Sequence, residues 1–431
     1  MPLKLSTTDA SFEEDFVKLL GMKRESDADV DAAVANIIDD VRTRGDEAVC
    51  EYTNRFDRLN IDASGMAVTA AEVDAAIGDI DADLLKSLEL AATRIRAYHE
   101  KQMPADERYT DESGVELGWR WRAVSAAGLY VPGGLASYPS SVLMNAIPAK
   151  VAGVERLVMV VPTPDNKMNP LVLAAARIAG VDEIYRIGGA QAIAALAYGT
   201  DTIKPVDKIV GPGNAFVAAA KRRVFGQVGI DMIAGPSEIL VVADGSNDPS
   251  WVAADLLSQA EHDPVAQSIL ITDDAGFADQ VQVAIGVHLE TLPRAEIAGA
   301  SWRDFGAIVL VENLSQAPAL VDRIAPEHLE LAVDDPDALA EEIHHAGAIF
   351  LGRYTPEAIG DYVAGPNHVL PTARSARFSS GLGVLDFIKR SSLIKCTPES
   401  LAKIGPAAIA LAESEGLQAH GLSVAIRSNQ M

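Results

Sequence analysis

Hydrophobic residues in the first quarter of the chain recur at helical spacing. The repeat extends from Asp27 to about Met103, and apolar residues three or four positions apart indicate helices with one buried face. The clearest run consists of Val30, Val34, Ile37, Ile38 and Val41. Residues 1–25 are mostly polar, and we predict that they form a helical arm.

The pattern changes at Ser125, where short apolar runs begin to alternate with longer amphipathic stretches. The predicted strands are Ala126–Val131, Arg156–Val161, Glu183–Ile187 and Lys208–Val210. The helices predicted to follow them are Ser141–Val151, Pro170–Ile178, Ala190–Tyr198 and Ala215–Val224. Strands separated by helices of about 10 to 15 residues are typical of βαβ units in a parallel sheet.

The same alternation restarts near Ser237. Further strands are predicted at Glu238–Ala243, Gln267–Thr272, Ala307–Val311, Leu329–Val333 and Ala348–Leu351. Helices are predicted at Trp251–Ala260 and Phe277–Leu289. We therefore predict an α/β fold with two parallel sheets and boundaries near Tyr130 and Ser237. The tail from about Leu382 has a mixed pattern.

Composition and charge narrow the class of protein. Acidic residues outnumber basic ones by 61 to 36, a net charge of −25, which argues against binding to nucleic acid or to an anionic membrane. No apolar run approaches the ~18 residues of a membrane span, and the acidic N-terminus is unlike a signal peptide. The longest basic cluster, Lys221-Arg222-Arg223, is interpreted as a solvent-facing part of a helix.

The chain has only two cysteines, Cys50 and Cys396. They are too few for a disulfide framework and are not arranged as a CxxC motif, which suits a reducing cytoplasm. We therefore expect a cytoplasmic protein in which any metal is bound by nitrogen and oxygen ligands.

A glycine cluster between a predicted strand and a predicted helix is the first candidate for ligand binding. Gly211-Pro212-Gly213-Asn214 would let a ligand approach the backbone closely, and the helix N-terminus that follows favours a phosphate or carboxylate. An ordinary tight turn is the alternative. The chain has no GxGxxG fingerprint, so only the α/β pattern suggests a dinucleotide.

Two pairs of polar residues could bind a metal or move protons. Gln259 and His262 are three residues apart and share one helix face, where a carbonyl oxygen and an imidazole could bind zinc. A histidine placed for the helix dipole is the alternative. Glu327 and His328 could both accept protons near neutral pH. Adjacent side chains usually diverge, however, and solvated loop residues are the simpler interpretation.

Three further residues are weaker candidates. Asp361 lies in a turn-rich segment and could bind a metal or belong to an ordinary loop. Glu415 and His420 are about 140° apart on a regular helix, so only a break at Gly416 would turn both to one side. The remaining histidines are interpreted as structural or solvated, namely His99, His288, His344 and His345.

Taken together, these motifs resemble the histidinol dehydrogenase family, from about Asp27 to about Ile426. The matching segments are Gly128–Gly134 (GLYVPGG), Gly188–Gln191 (GGAQ), Gly211–Asn214 (GPGN), Ala234–Glu238 (AGPSE), Gln259–His262 (QAEH), Pro326–Leu329 (PEHL), Gly360-Asp361, Gly365–Thr372 (GPNHVLPT) and Glu415–His420 (EGLQAH). No position that the family uses for chemistry departs from its pattern.

The resemblance implies a role for each candidate. The ligands of one zinc ion per subunit would be Gln259, His262, Asp361 and His420. The acid–base pair would be Glu327 and His328. The residues contacting NAD would be Tyr130, Gln191 and Asn214. The residues contacting substrate would be Ser237, Gln259, His262, His328, Asp361, Glu415 and His420.

The resemblance also implies a domain organisation and an assembly. Two incomplete Rossmann-like domains would comprise residues 26–129 with 238–381 and residues 130–237, after an N-terminal helical arm at 1–25. Residues 382–431 would reach the partner subunit of an intertwined homodimer and complete its active site.

The implied reaction oxidises L-histidinol to L-histidine through L-histidinal, using two NAD and one water, as the last step of histidine biosynthesis. His328 would take the hydroxyl proton, and Glu327 would activate water for addition to the aldehyde. Zinc would orient the substrate, since the hydride leaves for NAD. Two alternatives remain, a related enzyme acting on another small alcohol such as a sulfonated diol, and a non-catalytic NAD- or metabolite-binding regulator.

Overall fold

The computed structural model describes residues 2–22, 28–133, 138–233 and 235–428. These residues form two parallel sheets covered by helices on both faces, and one small antiparallel sheet. The strands are β1 (Leu3–Ser6), β2 (Glu107–Thr110), β3 (Glu116–Ala123), β4 (Ala126–Tyr130), β5 (Arg156–Val160), β6 (Glu183–Tyr185), β7 (Lys208–Val210), β8 (Gly229–Ile230), β9 (Glu238–Ala243), β10 (Gln267–Thr272), β11 (Ala307–Leu310), β12 (His328–Ala332), β13 (Ala348–Leu351) and β14 (Ile388–Lys395).

Helices make up most of the rest of the described chain. The first nine are α1 (Phe12–Gly21), α2 (Ala28–Arg44), α3 (Asp46–Asp57), α4 (Ala70–Gly78), α5 (Ala82–Glu100), α6 (Pro139–Ala152), α7 (Pro170–Ala179), α8 (Gly189–Tyr198) and α9 (Ala215–Val224). They are followed by α10 (Pro249–Ala260), α11 (Ala275–Leu289), α12 (Ala295–Phe305), α13 (Ala317–Ile324), α14 (Pro336–Ala340), α15 (Glu357–Tyr362), α16 (Pro398–Ser414) and α17 (Gln418–Ala425).

The five-stranded sheet has the order β6-β5-β4-β7-β8, with every pair parallel. Its strands read as continuous apolar runs because both faces are covered. Helices α2, α3, α8 and α9 pack on one face, and α4 to α7 pack on the other. The chain therefore forms a complete three-layer α/β unit around this sheet.

The six-stranded sheet has the order β1-β11-β10-β9-β12-β13 and is also parallel throughout. Helices α10, α11 and α12 cover one face, and α1 and α13 cover the other. These two sheets confirm the predicted fold class, an α/β fold with two Rossmann-like units.

The tail forms the third sheet and a helical hairpin. Strand β14 pairs with β3, and β3 pairs with β2, in antiparallel register. Helices α16 and α17 follow and pack against each other. None of the helices in the described ranges combines the length and apolar character needed to cross a membrane.

The N-terminal segment differs from the predicted helical arm. Residues 1–25 contain α1, but Leu3–Ser6 is a strand that pairs in parallel with β11 at the edge of the six-stranded sheet. Only Leu5 in this strand is buried. A four-residue edge strand with one buried side chain leaves too little hydrophobic pattern for the sequence to reveal it.

The packing of residues 26–129 also differs from the prediction, which grouped them with 238–381. Helices α2 to α5 pack on the five-stranded sheet instead, and β4 is the central strand of that sheet. Helical periodicity identifies a buried face but carries no information about which sheet the face covers. The division of the chain into domains at 130 and 237 otherwise stays a prediction.

Candidate active site

The largest cluster of candidate residues lines a cavity of about 380 Å³ between the two parallel sheets. Strands β4 and β7 end at this cavity, so it lies at the carboxyl edge of the five-stranded sheet. Strands β9 and β12 begin there, so it also lies at the amino edge of the six-stranded sheet. The candidates that line it are Gly211–Asn214, Ser237, Gln259, His262, Glu327, His328 and Asp361.

Glu327 and His328 are buried, with 7% and 3% of their surface exposed. They follow Ala325, which ends α13 in the left-handed conformation with φ of 47°. Glu327 Oε2 accepts a hydrogen bond from the Glu238 backbone N–H at 2.9 Å, and His328 Nδ1 donates to the Glu238 backbone oxygen at 3.0 Å. The interpretation as solvated loop residues is therefore wrong.

The hydrogen bond to a carbonyl oxygen fixes which nitrogen of His328 carries the proton. Because Nδ1 must donate, the neutral ring has its lone pair on Nε2. Nε2 lies 3.6 Å from Asp361 Oδ1. Burial opposes a charge on His328, but the carboxylates of Glu357, Glu327 and Asp361 outweigh it and raise its pKa well above the ordinary value.

Glu327 has the electrostatic properties of an acid–base group. Burial raises its pKa to about 7, although the charge of His328 and the bond from the Glu238 N–H favour the ionised form. A carboxyl group with a pKa near the working pH can both accept and return a proton.

Asp361 is surrounded by imidazoles. Burial would raise its pKa, but His328, His368 and His262 outweigh this and hold the pKa below its usual value. Burial lowers the pKa of His262 and of His368, which favours neutral imidazoles. His368 Nδ1 lies 3.0 Å from the Asp361 backbone oxygen. Neutral imidazole nitrogen beside an ionised carboxylate is a donor set suited to zinc.

Glu357 is a site residue that the sequence did not indicate. It is 2% exposed, and its Oε1 lies 3.6 Å from His328 Nδ1. The hydrogen-bond pattern around Gln259 orients its amide nitrogen toward both Glu357 oxygens, while its amide oxygen accepts from the Glu238 N–H at 3.2 Å. In sequence, Glu357 resembles any acidic residue in the first turn of a helix, so no signal distinguished it.

A second group of donor atoms overlaps the predicted zinc ligands. Single ligand atoms of His328, Glu357 and Asp361 lie within 4.8 Å of one another, and Asp361 belongs to both sets. Gln259 and His262 also line the cavity, whereas His420 does not. The structure thus brings three of the four predicted ligands to one cavity.

The residues predicted to contact NAD have different environments. Asn214 lines the cavity, and its side-chain oxygen accepts from the N–H groups of Phe216 and Val217 at the start of α9. Tyr130 is buried, and its hydroxyl accepts from the Gly189 N–H at 3.1 Å. Gln191 is 1% exposed, and its Oε1 has no hydrogen-bond partner among the described residues.

Glu415 and His420 lie outside this cavity. Both are exposed on the α16–α17 hairpin, where Gly416 has a φ of 72° and separates the two helices. The predicted break in the helix is therefore present. The structure contains one chain, and the predicted contribution of both residues to a partner's site stays a prediction.

The other histidines serve packing or face solvent, as predicted. His99 is fully buried, with Nδ1 2.7 Å from the Ile95 oxygen. His288 Nε2 lies 3.0 Å from Ser250 Oγ, and His344 is exposed beside Asp322.

The chain is closely similar to known proteins over nearly its whole length. A family profile described as histidinol dehydrogenase matches residues 21–428. The chain belongs to the histidinol dehydrogenase family. It is 69% identical to histidinol dehydrogenase of Rhodospirillum rubrum over all 431 residues, which is 99% of that protein. It is 68% identical to the enzyme of Ruegeria pomeroyi, with 100% of both chains covered.

A solved structure supports the same assignment. The crystal structure of histidinol dehydrogenase from Elizabethkingia anophelis has a TM-score of 0.94 and 35% identity, covering 99% of this chain and 98% of that one. The family predicted from the motifs is thereby confirmed, and membership of the histidinol dehydrogenase family makes the chain an NAD-dependent oxidoreductase.

Proposed function

We propose that this chain oxidises L-histidinol to L-histidine through L-histidinal, as the last step of histidine biosynthesis. The observation that carries the proposal is the pair of buried side chains, Glu327 and His328, bound to the backbone of Glu238 at the cavity. The alcohol loses one hydride to NAD and one proton to give the aldehyde. The aldehyde adds water, and its hydrate loses a second hydride to a second NAD and two protons to give the carboxylate.

His328 takes the hydroxyl proton in the first oxidation. Its Nδ1 donates to the Glu238 oxygen, which leaves Nε2 as the basic atom once the ring is neutral. The nearby carboxylates raise the pKa of His328 and favour the protonated ring, and a cation held by Asp361 would offset their charge and favour the neutral base. The exposed part of His328 is only 3%, so bulk water competes little with the substrate hydroxyl for this atom.

Glu327 promotes the addition of water to the aldehyde. Its pKa of about 7 gives a substantial ionised fraction near neutral pH, and the ionised form accepts a proton from water. The bond from the Glu238 N–H holds Oε2, so the other carboxylate oxygen remains for water. Two adjacent residues therefore divide the proton transfers of the two oxidations.

We infer a zinc site, one per subunit, formed by Gln259, His262, Asp361 and the partner's His420. Three of these side chains line the cavity, and their nitrogen and oxygen donors fit zinc. Zinc bound there would orient the substrate and offset the charge of nearby carboxylates. The alternative ligand set of His328, Glu357 and Asp361 is less favourable, because a metal bound to His328 Nε2 would occupy the lone pair that accepts the hydroxyl proton.

The proposed substrate contacts comprise the cavity residues and two from the tail. From the cavity they are Ser237, Gln259, His262, His328 and Asp361. From the partner's tail they are Glu415 and His420. An exposed hairpin carrying these groups supports a homodimer with shared sites, as do its exposed apolar side chains, Ile404, Leu411, Leu417, Leu422 and Ile426.

NAD is proposed to bind at the carboxyl edge of the five-stranded sheet, where Rossmann-like sheets bind their ligands. Asn214 and the glycines before it line the cavity there. Tyr130 and Gln191 would contact NAD after a local rearrangement, because both are buried. A cytoplasmic location is part of the proposal and agrees with the two free cysteines.

The direct test measures NADH formation from L-histidinol by the purified dimer, before and after chelation and after zinc is restored. We expect two NADH per histidinol, loss of activity on chelation and recovery with zinc. A sulfonated diol serves as the comparison substrate and should give far slower turnover. NADH formation that is absent, or that prefers the diol, would contradict the proposed function.

A further inference from the structure

Lys221 is buried, although its basic cluster with Arg222 and Arg223 was expected to face solvent. It is 2% exposed and pairs with Asp231, whose side chain is 1% exposed. Lys221 lies four residues after Val217 and three before Val224, and both are fully buried, so it belongs to the inner face of α9. Arg223 has the expected environment, in an ion pair with Asp31 near the surface.

This ion pair binds both polar backbone groups of one glycine. Lys221 Nζ donates to the Gly211 oxygen at 2.9 Å, and the Gly211 N–H donates to Asp231 Oδ2 at 2.8 Å. Asp231 follows β8 and Gly211 follows β7, so the pair connects two strand ends with α9. Lys221 and Asp231 also line the cavity.

Gly211 starts the loop Gly211–Asn214 in a conformation that other residues rarely adopt. Its φ is 109°, and a Cβ there would lie 2.1 Å from the Tyr130 backbone oxygen. A Cβ on Gly213 would lie 2.5 Å from Val217 Cβ. The loop therefore runs in close contact with β4 and α9, and both backbone groups at its first residue are bound by the ion pair.

The other end of the loop is held by a helix cap. Asn214 Oδ1 accepts from the N–H groups of Phe216 and Val217, each at 3.1 Å. Because the oxygen is used by the cap, the amide nitrogen is the group left for a ligand. Among the described residues that nitrogen donates to no partner. The orientation of Asn214 thus depends on the path of the loop.

We propose that the Lys221–Asp231 pair positions the cofactor loop, by binding the backbone of Gly211 and so fixing Gly211–Asn214 against NAD. The inference rests on the proposed function. A buried ion pair can often be replaced by apolar side chains without loss of stability. We therefore assign the contribution of the Lys221–Asp231 pair to its two hydrogen bonds with Gly211, not to the stability of the fold. Both residues act through the loop and are positioning residues.

The test replaces both charges together, since a single replacement would leave an unpaired buried charge. We expect Lys221→Met/Asp231→Leu to fold and to raise the KM for NAD on the order of 10- to 100-fold, the effect of displacing a positioning element. The KM for histidinol and the kcat at saturating NAD should stay close to wild type. The change weakens the binding of NAD equally in the ground state and in the transition state, and such a loss raises KM without lowering kcat.

The matched control is Arg223→Met/Asp31→Leu, which removes an exposed ion pair from the same helix. It should leave the KM for NAD unchanged. Hydrogen exchange of the segment containing Gly211 gives a second readout that does not depend on turnover. It should be faster in Lys221→Met/Asp231→Leu than in the control, because the Gly211 N–H loses its acceptor.

The outcomes separate the two proposals. If wild type forms no NADH from histidinol, the proposed function fails. If wild type is active and both double variants have the same KM for NAD and the same exchange, the positioning role fails. If Lys221→Met/Asp231→Leu does not fold, Lys221→Met/Asp231→Asn is tested in its place. The amide oxygen of the introduced asparagine still accepts a hydrogen bond from the Gly211 N–H, whereas the bond from Lys221 to the Gly211 oxygen is lost. An intermediate rise in KM then supports the role, and a wild-type KM contradicts it.

Discussion

Glu327 and His328 are consecutive, yet both side chains contact the backbone of the same residue, Glu238. Consecutive side chains within a regular strand point to opposite faces. Here Glu327 precedes β12, and His328 begins it, so the pair lies at an irregular point of the backbone. Glu327 Oε2 and His328 Nδ1 are 3.8 Å apart. The start of a strand thus allows neighbours to share one cavity.

Separate roles for these neighbours predict separate kinetic defects. His328→Asn should slow the oxidation of histidinol, and Glu327→Gln should slow the oxidation of histidinal more than the first hydride transfer. Each loss should be on the order of 10²- to 10⁴-fold, the usual contribution of general acid–base catalysis. Single-turnover assays started from histidinol and from histidinal measure the two steps. A wild-type rate of histidinal oxidation in Glu327→Gln would reduce Glu327 to a positioning residue.

The raised pKa of Glu327 predicts a pH dependence for the second oxidation. Only the ionised carboxylate accepts a proton from water, and its fraction falls as pH drops through the pKa of about 7. The histidinal rate should therefore fall by roughly tenfold per pH unit well below 7. The slower Glu327→Gln variant should lack this dependence. An identical pH profile in both proteins would assign the titration to another group.

The metal assignment predicts that His262→Ala loses zinc and activity together. The other proposed ligands in the cavity remain, but the missing imidazole lowers the affinity for the ion. Zinc content after dialysis, measured with turnover, checks this. His344→Ala, a change at an exposed histidine, is the control and should keep both. A His262→Ala protein with stoichiometric zinc and full turnover would remove His262 from the ligand set.

At the scale of secondary-structure elements, the short helix α15 connects several parts of the site. Its first residue, Glu357, contacts His328, and Asp361 lies near its end. The Glu357 N–H donates to Glu330 Oε1 at 2.5 Å, which fixes the start of the helix on β12. A displacement of α15 would therefore move two groups of the site at once.

Gly360 provides a test of this arrangement. A Cβ there would lie 2.5 Å from Phe350 Cε1, and the Phe350 ring is 6.1 Å from the His328 ring. Gly360→Ala should destabilise the fold by about 1–3 kcal/mol through overpacking, and it should reduce activity by displacing Asp361. Thermal unfolding and NADH formation measure the two effects.

Gly286→Ala is the matched control for this change. Gly286 is also in a helix, and among the described residues no atom beyond its chain neighbours and the backbone of its own helix would lie within 4 Å of its Cβ. Replacing a helical glycine by alanine in open space favours the helix by up to about 1 kcal/mol. Equal stability and activity of the two variants would show that the contact with Phe350 is unimportant.

The sequence predicted most elements of the two parallel sheets, because buried strands and amphipathic helices have distinct apolar periods. It did not predict β1, whose four residues bury only Leu5. It did not predict the buried Lys221, because a charged residue on an inner helix face is identified only by its partner. Contacts between residues far apart in the chain leave no pattern in the local sequence. The sequence analysis did not identify Glu357 for the same reason.

For the whole molecule, the site depends on two sheets in opposite orientation. The five-stranded sheet presents the carboxyl ends of its strands, and the six-stranded sheet presents the amino ends. Several cavity residues were candidates from their local motifs, but only the family resemblance indicated that they share one site, because they come from segments far apart in the chain. The proposed sharing of the site between two subunits follows from the resemblance alone and could not be derived from composition or periodicity.

The proposed shared site predicts recovery of activity in mixed dimers. His262→Ala chains and His420→Ala chains should each be inactive alone, but a heterodimer has one site with both ligands intact. Roughly half the wild-type activity per heterodimer is expected, since one of two sites is complete. Heterodimers purified with two different affinity tags provide the measurement. Verified heterodimers without activity would contradict a site shared between subunits.

The exposed position of the α16–α17 hairpin has a consequence for inheritance. Under the proposed assembly, the hairpin of each chain completes the cavity of its partner. In a dimer of one hairpin-damaged chain and one cavity-damaged chain, both defects therefore fall in one site and the other site is intact. A cell carrying one allele of each kind would regain part of its growth without supplied histidine, although neither allele alone supports growth. Two alleles damaged in the same segment would not complement. Genetic crosses would therefore divide this single gene into two complementation groups.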